Sequence, residues 1–193
     1  SETTKHDLCY RTEFNGEAKV EYQGVDQPSG NNRDSSIDLL YVGSLIERKD
    51  PSFLRESIAM ASESGFNCVA VNFGEIDLPC KVLSGLSEER LAEVYVSSRY
   101  YLHPSLAEGF GRSPVEAQLH GTIPLGRDIE INHEILGEPG KDWYTVSTPN
   151  DVQKILNREV SSRHRISASE NASKFSWNRT IKELSNILAG INQ

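Results

Sequence analysis

The chain alternates short, almost continuous apolar runs with longer segments in which apolar residues recur at helical spacing. Six runs have the composition of strands: residues 37–42, 68–73, 81–83, 100–103, 122–125 and 143–146. Apolar residues fill most of their positions and not every second one, which indicates strands that are buried on both faces. Because these strands alternate with helices, the sequence predicts an α/β fold: a doubly wound parallel sheet of the Rossmann-like kind.

Several segments between these runs begin with residues that favour a helix start. Asp50 precedes Pro51, a combination in which the acid caps the helix and the proline occupies its first turn. Ser87 stands before two glutamates, and Ser113 and Glu116 have the spacing of a capping box. Helices are therefore predicted to begin near residues 51, 87 and 114.

The C-terminal part of the chain is predicted to be helical as well, over residues 149–156, 163–174 and 177–189. In the last of these segments an apolar stripe recurs at helical spacing and comprises Trp177, Ile181, Leu184 and Leu188. Stripes of this kind usually pack in a core, so we expect the helix to bury it.

A polar, turn-rich stretch at residues 27–36 precedes the regular pattern. Glycine, proline, asparagine and serine at this density favour turns and exposed loops. The residues before it hold mixed short signals, among them a possible strand at 18–22. We therefore interpret residues 1–36 as an interdomain segment and linker, and residues 37–193 as the α/β domain.

Charge and composition narrow the class of function. The formal net charge is −8 over 193 residues, which argues against nucleic acid as the main partner because phosphate binding usually leaves a basic footprint. An anionic ligand remains compatible if the positive groups are focused in one cleft. The five histidines and the three cysteines (Cys9, Cys68 and Cys80) show no metal-ligand spacing, and cysteines in this number suit a reducing compartment.

The sequence shows neither an apolar run long enough to span a membrane nor a signal-peptide pattern. These features are typical of a cytoplasmic protein, and we expect neither a metal nor another cofactor. Peripheral association with a membrane remains compatible with them.

Open parallel sheets bind ligands beyond the carboxyl ends of their strands, so the strand-to-helix connections are the candidate sites. The first connection contains Gly43, Ser44 and, just before the helix, the cations Arg48 and Lys49. It is not a P-loop, and the chain has no dinucleotide-binding glycine fingerprint. The two cations favour an anion site, and the glycine would let the backbone approach such a ligand. For this connection alone, however, a solvated Arg–Lys pair is the simpler interpretation.

The connection after residues 100–103 is more informative. Gly109 and Gly111 flank Phe110, so the backbone can approach a ligand and present N–H groups to it. The helix that follows carries a partial positive charge at its start, which suits phosphate. Glu108 on the loop and Glu116 in the first helical turn can face one cleft.

The two glutamates admit other interpretations. The capping box gives Glu116 a purely structural role, whereas Glu108 has no comparable cap to make. Paired carboxylates also serve in glycosidases. Here both acids come from one connection beside a phosphate-type turn, which disfavours that reaction.

Together these residues resemble the signature of family 4 glycosyltransferases, which are retaining enzymes of the two-domain GT-B fold. The signature comprises residues 104–111 (Pro-Ser-Leu-Ala-Glu-Gly-Phe-Gly), then Glu116-Ala117, Gly121-Thr122 and Pro124. Its mark is the pair of glutamates separated by seven residues. Further matches in the expected order are Gly24-Val25-Asp26, Tyr41-Val42-Gly43 with Lys49, Gly85-Leu86-Ser87 with residues 91–95, and Phe175-Ser176-Trp177.

The resemblance implies a role for each matching residue. Glu108 and Lys49 would serve in catalysis, Glu108 by holding hydroxyls of the donor sugar and Lys49 by pairing with the diphosphate. Glu116 would hydrogen-bond the ribose hydroxyls. The other donor-binding residues that it implies are Gly43, Ser44, Arg48, Gly109, Phe110, Gly111, Arg112, Ser113 and Val115.

Three positions depart from the family pattern. Ser44 stands where the family usually has arginine or asparagine, and Asp50 stands where glycine usually follows the lysine. Gln23 replaces the asparagine of the turn that opens the second domain. The contact that the family's arginine or asparagine makes with the diphosphate is therefore missing at Ser44. Arg48 is the candidate to make this contact instead.

The resemblance also implies that the chain is the C-terminal, nucleotide-sugar-binding half of such an enzyme, without the N-terminal acceptor domain. The expected partner is a nucleoside-diphosphate sugar, and the full enzyme would transfer its hexose-like sugar to an acceptor hydroxyl. Two alternatives stay open: a standalone nucleotide-sugar-binding or regulatory module, and the dinucleotide-binding domain of an oxidoreductase. The missing glycine fingerprint disfavours the oxidoreductase.

Overall fold

The computed structural model describes residues 1–6, 19–26, 35–72 and 77–191. Its strands are β1 (Ile37–Val42), β2 (Cys68–Val71), β3 (Lys81–Leu83), β4 (Ser98–His103), β5 (Ile123–Gly126) and β6 (Tyr144–Thr145). Its helices are α1 (Pro51–Glu63), α2 (Glu88–Val96), α3 (Arg112–Leu119), α4 (Glu130–Ile135), α5 (Pro149–Leu156), α6 (Ser162–Ala172) and α7 (Trp177–Ile191). A 3₁₀ turn, Glu47–Lys49, precedes α1, and residues 2–6 are helical.

The six strands form one sheet in the order β3-β2-β1-β4-β5-β6. Every neighbouring pair is parallel. This arrangement confirms the predicted doubly wound α/β fold, and each predicted apolar run overlaps one of the strands. The strand β4 begins two residues before its run and β5 ends one residue after its run, and residue 73 of the run 68–73 lies outside the described residues. The carboxyl ends of β1 and β4 lie side by side at the centre of the sheet. From this point successive strands are added outwards in opposite directions, β1 to β3 on one side and β4 to β6 on the other, so it is the topological switch point of the sheet.

Helices cover the sheet on both faces, which explains why its strands are continuously apolar. Leu39 and Tyr41 of β1 pack in one cluster with Leu54 of α1. Leu40, next to them in the same strand, packs in a separate cluster with Tyr95 of α2. Alternate residues of one strand are therefore buried against opposite layers.

The helix starts predicted at Asp50 and Ser87 are confirmed. Asp50 accepts a hydrogen bond from the N–H of Phe53 (3.2 Å), with Pro51 in the first turn. Ser87 accepts one from the N–H of Arg90 (3.3 Å).

The prediction for the apolar stripe of α7 is wrong. Its four residues are exposed by 39% to 62%: Trp177, Ile181, Leu184 and Leu188. The helix instead faces the domain through Thr180, which is 7% exposed and donates a hydrogen bond to the carbonyl of Tyr22 (2.9 Å). The apolar stripe therefore lies on the exposed side of the helix.

No strand is found within residues 19–26, so residues 19–22 of the strand predicted at 18–22 do not form one, and residue 18 lies outside the described residues. Val25 is buried, and its N–H donates to the carbonyl of Phe175 (2.9 Å). The predicted linker lies mostly at 27–34, outside the described residues. Within the described parts of the chain, no helix has the length and apolar character needed to cross a membrane.

Candidate functional site

The connection after β1 brings the Lys49 ammonium to the end of the strand. A Cβ atom built on Gly43 would lie 2.6 Å from Lys49 Nζ, so the glycine provides the space that the ammonium occupies. The Tyr41 hydroxyl fixes the loop by donating to the carbonyl of Ser44 (2.9 Å). Partial burial lowers the pKa of Lys49, the Glu108 carboxylate opposes that change, and Arg48 adds to it.

Asp50 occupies the left-handed region at φ 41°, a conformation that glycine adopts at little cost and other residues rarely adopt. Its carboxylate compensates by capping α1 and by pairing with Arg127 at the end of β5. The Arg127 guanidinium also stacks over the Phe53 ring, 3.8 Å from the centroid. This departure from the family pattern therefore has a structural solution, and it anchors the turn that carries Lys49.

The connection after β4 is joined to the first connection through Glu108. The Glu108 carboxylate accepts from Arg48 Nη1 (2.5 Å) and from Ser105 Oγ (2.9 Å), and its side chain is 10% exposed. The N–H of Leu106 donates to the carbonyl of Arg48 (2.8 Å). Burial alone would raise the pKa of Glu108, but the bonds from Arg48 and Ser105 lower it below its usual range. Glu108 is therefore a carboxylate at neutral pH.

The first turn of α3 differs from the prediction. The prediction that Ser113 and Glu116 form a capping box is wrong, because the helix begins at Arg112 with Gly111 as its N-cap. Gly111 adopts φ +83°, which turns the chain into the helix before Ser113 is reached. No side-chain hydrogen bond caps this end of α3, so its first N–H groups are available to a ligand.

Glu116 consequently has different partners. Its carboxylate pairs with Arg112 Nη2 (3.1 Å) and accepts from the hydroxyl of Tyr95 (3.3 Å). The side chain of Glu116 is 20% exposed. Because Glu116 does not cap the helix, the structural explanation that competed with a ligand role no longer accounts for it.

Two of the predicted donor-binding residues have side chains that pack into the domain. Phe110 packs edge-on against Phe175, with ring centroids 5.3 Å apart. Val115 is fully buried in the same cluster. Any contact of these residues with a ligand would therefore come from the main chain.

Two other predicted residues are open to solvent. Ser44 is exposed, and the side chain of Arg112 is about half-exposed.

His103, the last residue of β4, was missed by the sequence analysis, which considered the histidines only as metal ligands. It is 3% exposed, and its Nε2 atom has no hydrogen-bond partner among the described residues. Burial lowers its pKa to about 4, with the Glu108 carboxylate opposing the change. Its position at the carboxyl end of a central strand was the available signal.

The structure thus brings together Gly43, Arg48, Lys49, Glu108 and Gly111 at the ends of β1 and β4, with Glu116 one turn along α3. Two cations, one deeply placed carboxylate and an uncapped helix start can hold an anionic group beside hydroxyl groups. In the described ranges, no group of three or more His, Cys, Asp or Glu side chains could hold a metal ion.

Comparison with known proteins identifies the family. The model of the glycosyl transferases group 1 family matches residues 25–174. The chain belongs to this family. The match covers both connections that form the candidate site.

Individual relatives agree with the family assignment. The serotype-specific mannosyltransferase WbdA of Escherichia coli is 33% identical over 49% of this chain. Among solved structures, TarM is similar with a TM-score of 0.77 at 14% identity over 96% of the chain. The pneumococcal O-GlcNAc transferase GtfA, in complex with UDP and GlcNAc, is similar with a TM-score of 0.75 at 14% identity over the whole chain.

These matches establish the GT-B type of fold for the domain. They also show that the chain is much shorter than its relatives. It spans 12% of the length of WbdA, 42% of TarM and 44% of GtfA.

Proposed function

We propose that this chain is the donor-binding half of a retaining glycosyltransferase, which transfers a sugar from a nucleoside-diphosphate sugar to an acceptor hydroxyl. The observation that carries the proposal is the meeting of the Lys49 ammonium, the Glu108 carboxylate and the uncapped start of α3 at the ends of two neighbouring central strands. Parallel sheets bind ligands at such a point.

The diphosphate of the donor would lie between Lys49 and the first N–H groups of α3. Both supply positive potential, and the glycines at 43 and 111 let the backbone approach closely. Arg48, now paired with Glu108, is near enough to add a second cation once a phosphate competes for it. It would replace the contact that Ser44 cannot make.

The two glutamates would divide the hydroxyl groups of the donor. Glu116 is partly exposed one turn along α3 and would accept from the ribose hydroxyls. Glu108, held as a carboxylate by Arg48 and Ser105, would accept from hydroxyls of the sugar. The N–H groups of residues 109–111 would complete the sugar site.

This arrangement suits the departure of a nucleoside diphosphate. The bond between the anomeric carbon and the β-phosphate oxygen breaks, and the negative charge that develops on the leaving diphosphate is stabilised by Lys49 and the helix start. For retention, the acceptor oxygen attacks the anomeric carbon from the face that the leaving group vacates. The departing phosphate oxygen takes the proton of the acceptor hydroxyl. Metal-independence is part of this proposal.

The acceptor site would lie on a second domain, because the chain spans less than half of its structural relatives. Transfer requires both substrates to be held in one geometry. The chain alone would then bind nucleotide without transferring sugar.

Calorimetric titration of the 193-residue chain with UDP, GDP and NAD tests this function. We expect binding of UDP or GDP, no binding of NAD, and no sugar transfer to small acceptor alcohols. Preference for NAD would instead support an oxidoreductase domain, and measurable transfer would contradict the assignment of a half site. A full-length gene product with no acceptor-type domain would favour a standalone nucleotide-sugar-binding module.

A further inference from the structure

A histidine lies beneath the proposed donor site with one ring nitrogen unsatisfied. His103 ends β4 and is 3% exposed, and within the described part of the chain its Nε2 atom has no hydrogen-bond partner. A buried polar atom without a partner costs free energy, and native structures leave few of them. Its location therefore requires an explanation.

The surroundings of Nε2 point to a ligand. A Cβ atom built on Gly111 would lie 3.8 Å from Nε2, so the nitrogen faces the glycine at the uncapped start of α3. Glu108, Lys49 and Arg48 all lie close enough to affect the charge of the ring. Nε2 thus lies where the groups proposed to hold the phosphates and the sugar converge.

The ring is neutral near pH 7, because burial lowers its pKa to about 4 even though Glu108 opposes the change. A neutral imidazole carries one N–H donor and one acceptor nitrogen. With the proton on Nε2, it can donate to an anion without placing a third full positive charge beside Arg48 and Lys49.

We propose that His103 is a further donor-binding residue, whose Nε2–H donates a hydrogen bond to a phosphate oxygen of the bound nucleoside diphosphate. The proposal rests on the donor-binding function given above. It explains the unsatisfied nitrogen, since its partner arrives with the ligand. The contact requires a small shift of Lys49 or of residues 109–111, because Nε2 is covered in the free protein.

Imidazole NMR resonances of the uniformly ¹⁵N-labelled chain test the contact directly. At pH 7 we expect the His103 nitrogens to show a neutral ring in the free protein. Addition of UDP or GDP, whichever binds, should shift the Nε2 resonance, and the matching nucleoside or a free monosaccharide should not. His164 on α6, which contacts the ring of Tyr144 outside the site, serves as the reference resonance.

Two variants separate hydrogen bonding from packing. His103→Gln keeps an N–H donor near the position of Nε2 and should bind the nucleoside diphosphate about as tightly as the wild type. His103→Leu removes the donor and should weaken binding about tenfold, the loss expected for one hydrogen bond to a charged group. His164→Leu is the matched control and should leave binding unchanged.

The outcomes distinguish this inference from the proposed function. If UDP or GDP binds but His103 does not shift, or if it shifts with a monosaccharide alone, the phosphate contact is wrong and the function stands. The same holds if His103→Leu binds as tightly as the wild type. If neither nucleotide binds the wild-type chain, both the function and the contact are wrong.

Discussion

Lys49→Met should weaken the binding of UDP or GDP by about 10- to 100-fold, the range expected when a charge-assisted hydrogen bond of about 1.5–3 kcal/mol is lost. The ammonium of Lys49 lies against Gly43 at the end of β1 and is partly buried, so water screens it less than a surface lysine. Methionine keeps an apolar stem of similar length and removes the ammonium group. Calorimetry on both proteins measures the ratio of the dissociation constants.

The nucleoside without phosphates provides an internal control. Uridine or guanosine should bind Lys49→Met and the wild type equally, because the lost contact is to phosphate. Lys154→Met is the matched variant, since Lys154 is 73% exposed on α5 and pairs with Asp151 of its own helix. Equal loss of nucleoside and nucleotide binding in Lys49→Met, or an unchanged affinity for the nucleotide, would contradict the assignment of Lys49 to the diphosphate.

Glu116→Gln should weaken nucleoside diphosphate binding about tenfold and reduce the preference for ribose over deoxyribose. A carboxylate can accept from each ribose hydroxyl with a charged oxygen, whereas the amide has one uncharged acceptor oxygen and an NH₂ group. The wild type should therefore discriminate against the 2′-deoxynucleotide, and Glu116→Gln should discriminate less. Affinities for the two nucleotides in the two proteins form a thermodynamic cycle that isolates this contact.

The control for this cycle is Glu170→Gln, an exposed glutamate on α6 away from the site. It should retain the wild-type preference. A Glu116→Gln variant that binds weakly with an unchanged preference for ribose would show that Glu116 holds another part of the nucleotide. Thermal unfolding checks that the variant remains folded, which we expect because Tyr95 can still donate to the amide oxygen.

The sheet was predictable because its physical signature is strong. Strands buried on both faces must be apolar throughout, and Leu39 and Leu40 show why, since they are buried against opposite layers. The cap at Asp50 was also predictable, because aspartate is favoured at the N-cap of a helix and proline at its first position. What the residue type did not reveal is the left-handed backbone of Asp50 and its pair with Arg127, a contact that is distant in sequence.

The predictions that failed involve competition between local signals. Ser113 and Glu116 have capping-box spacing, but Gly111 starts the helix earlier because it adopts φ +83°. In α7 the periodicity located an apolar face without giving its orientation. The face that meets the domain carries Thr180, whose hydroxyl donates to the carbonyl of Tyr22, a contact that the periodicity does not reveal.

The sequence predicted the candidate site at two connections, and the structure brings these connections together, but the contacts between them could not be predicted. The pairing of Arg48 with Glu108 joins residues that are far apart in the chain. His103 carried no motif beyond its place at the end of a strand. Such contacts arise because β1 and β4 are neighbours in the sheet and run parallel, so their carboxyl ends lie close together. The sequence does not show which strands are neighbours.

A crystal structure of the chain with whichever of UDP and GDP binds more tightly tests the donor site most directly. The account predicts the diphosphate at the start of α3 within hydrogen-bonding distance of Lys49 Nζ, and the ribose hydroxyls on the carboxylate of Glu116. A nucleotide bound elsewhere on the domain, with Lys49 and Glu116 still in their present contacts, would contradict it.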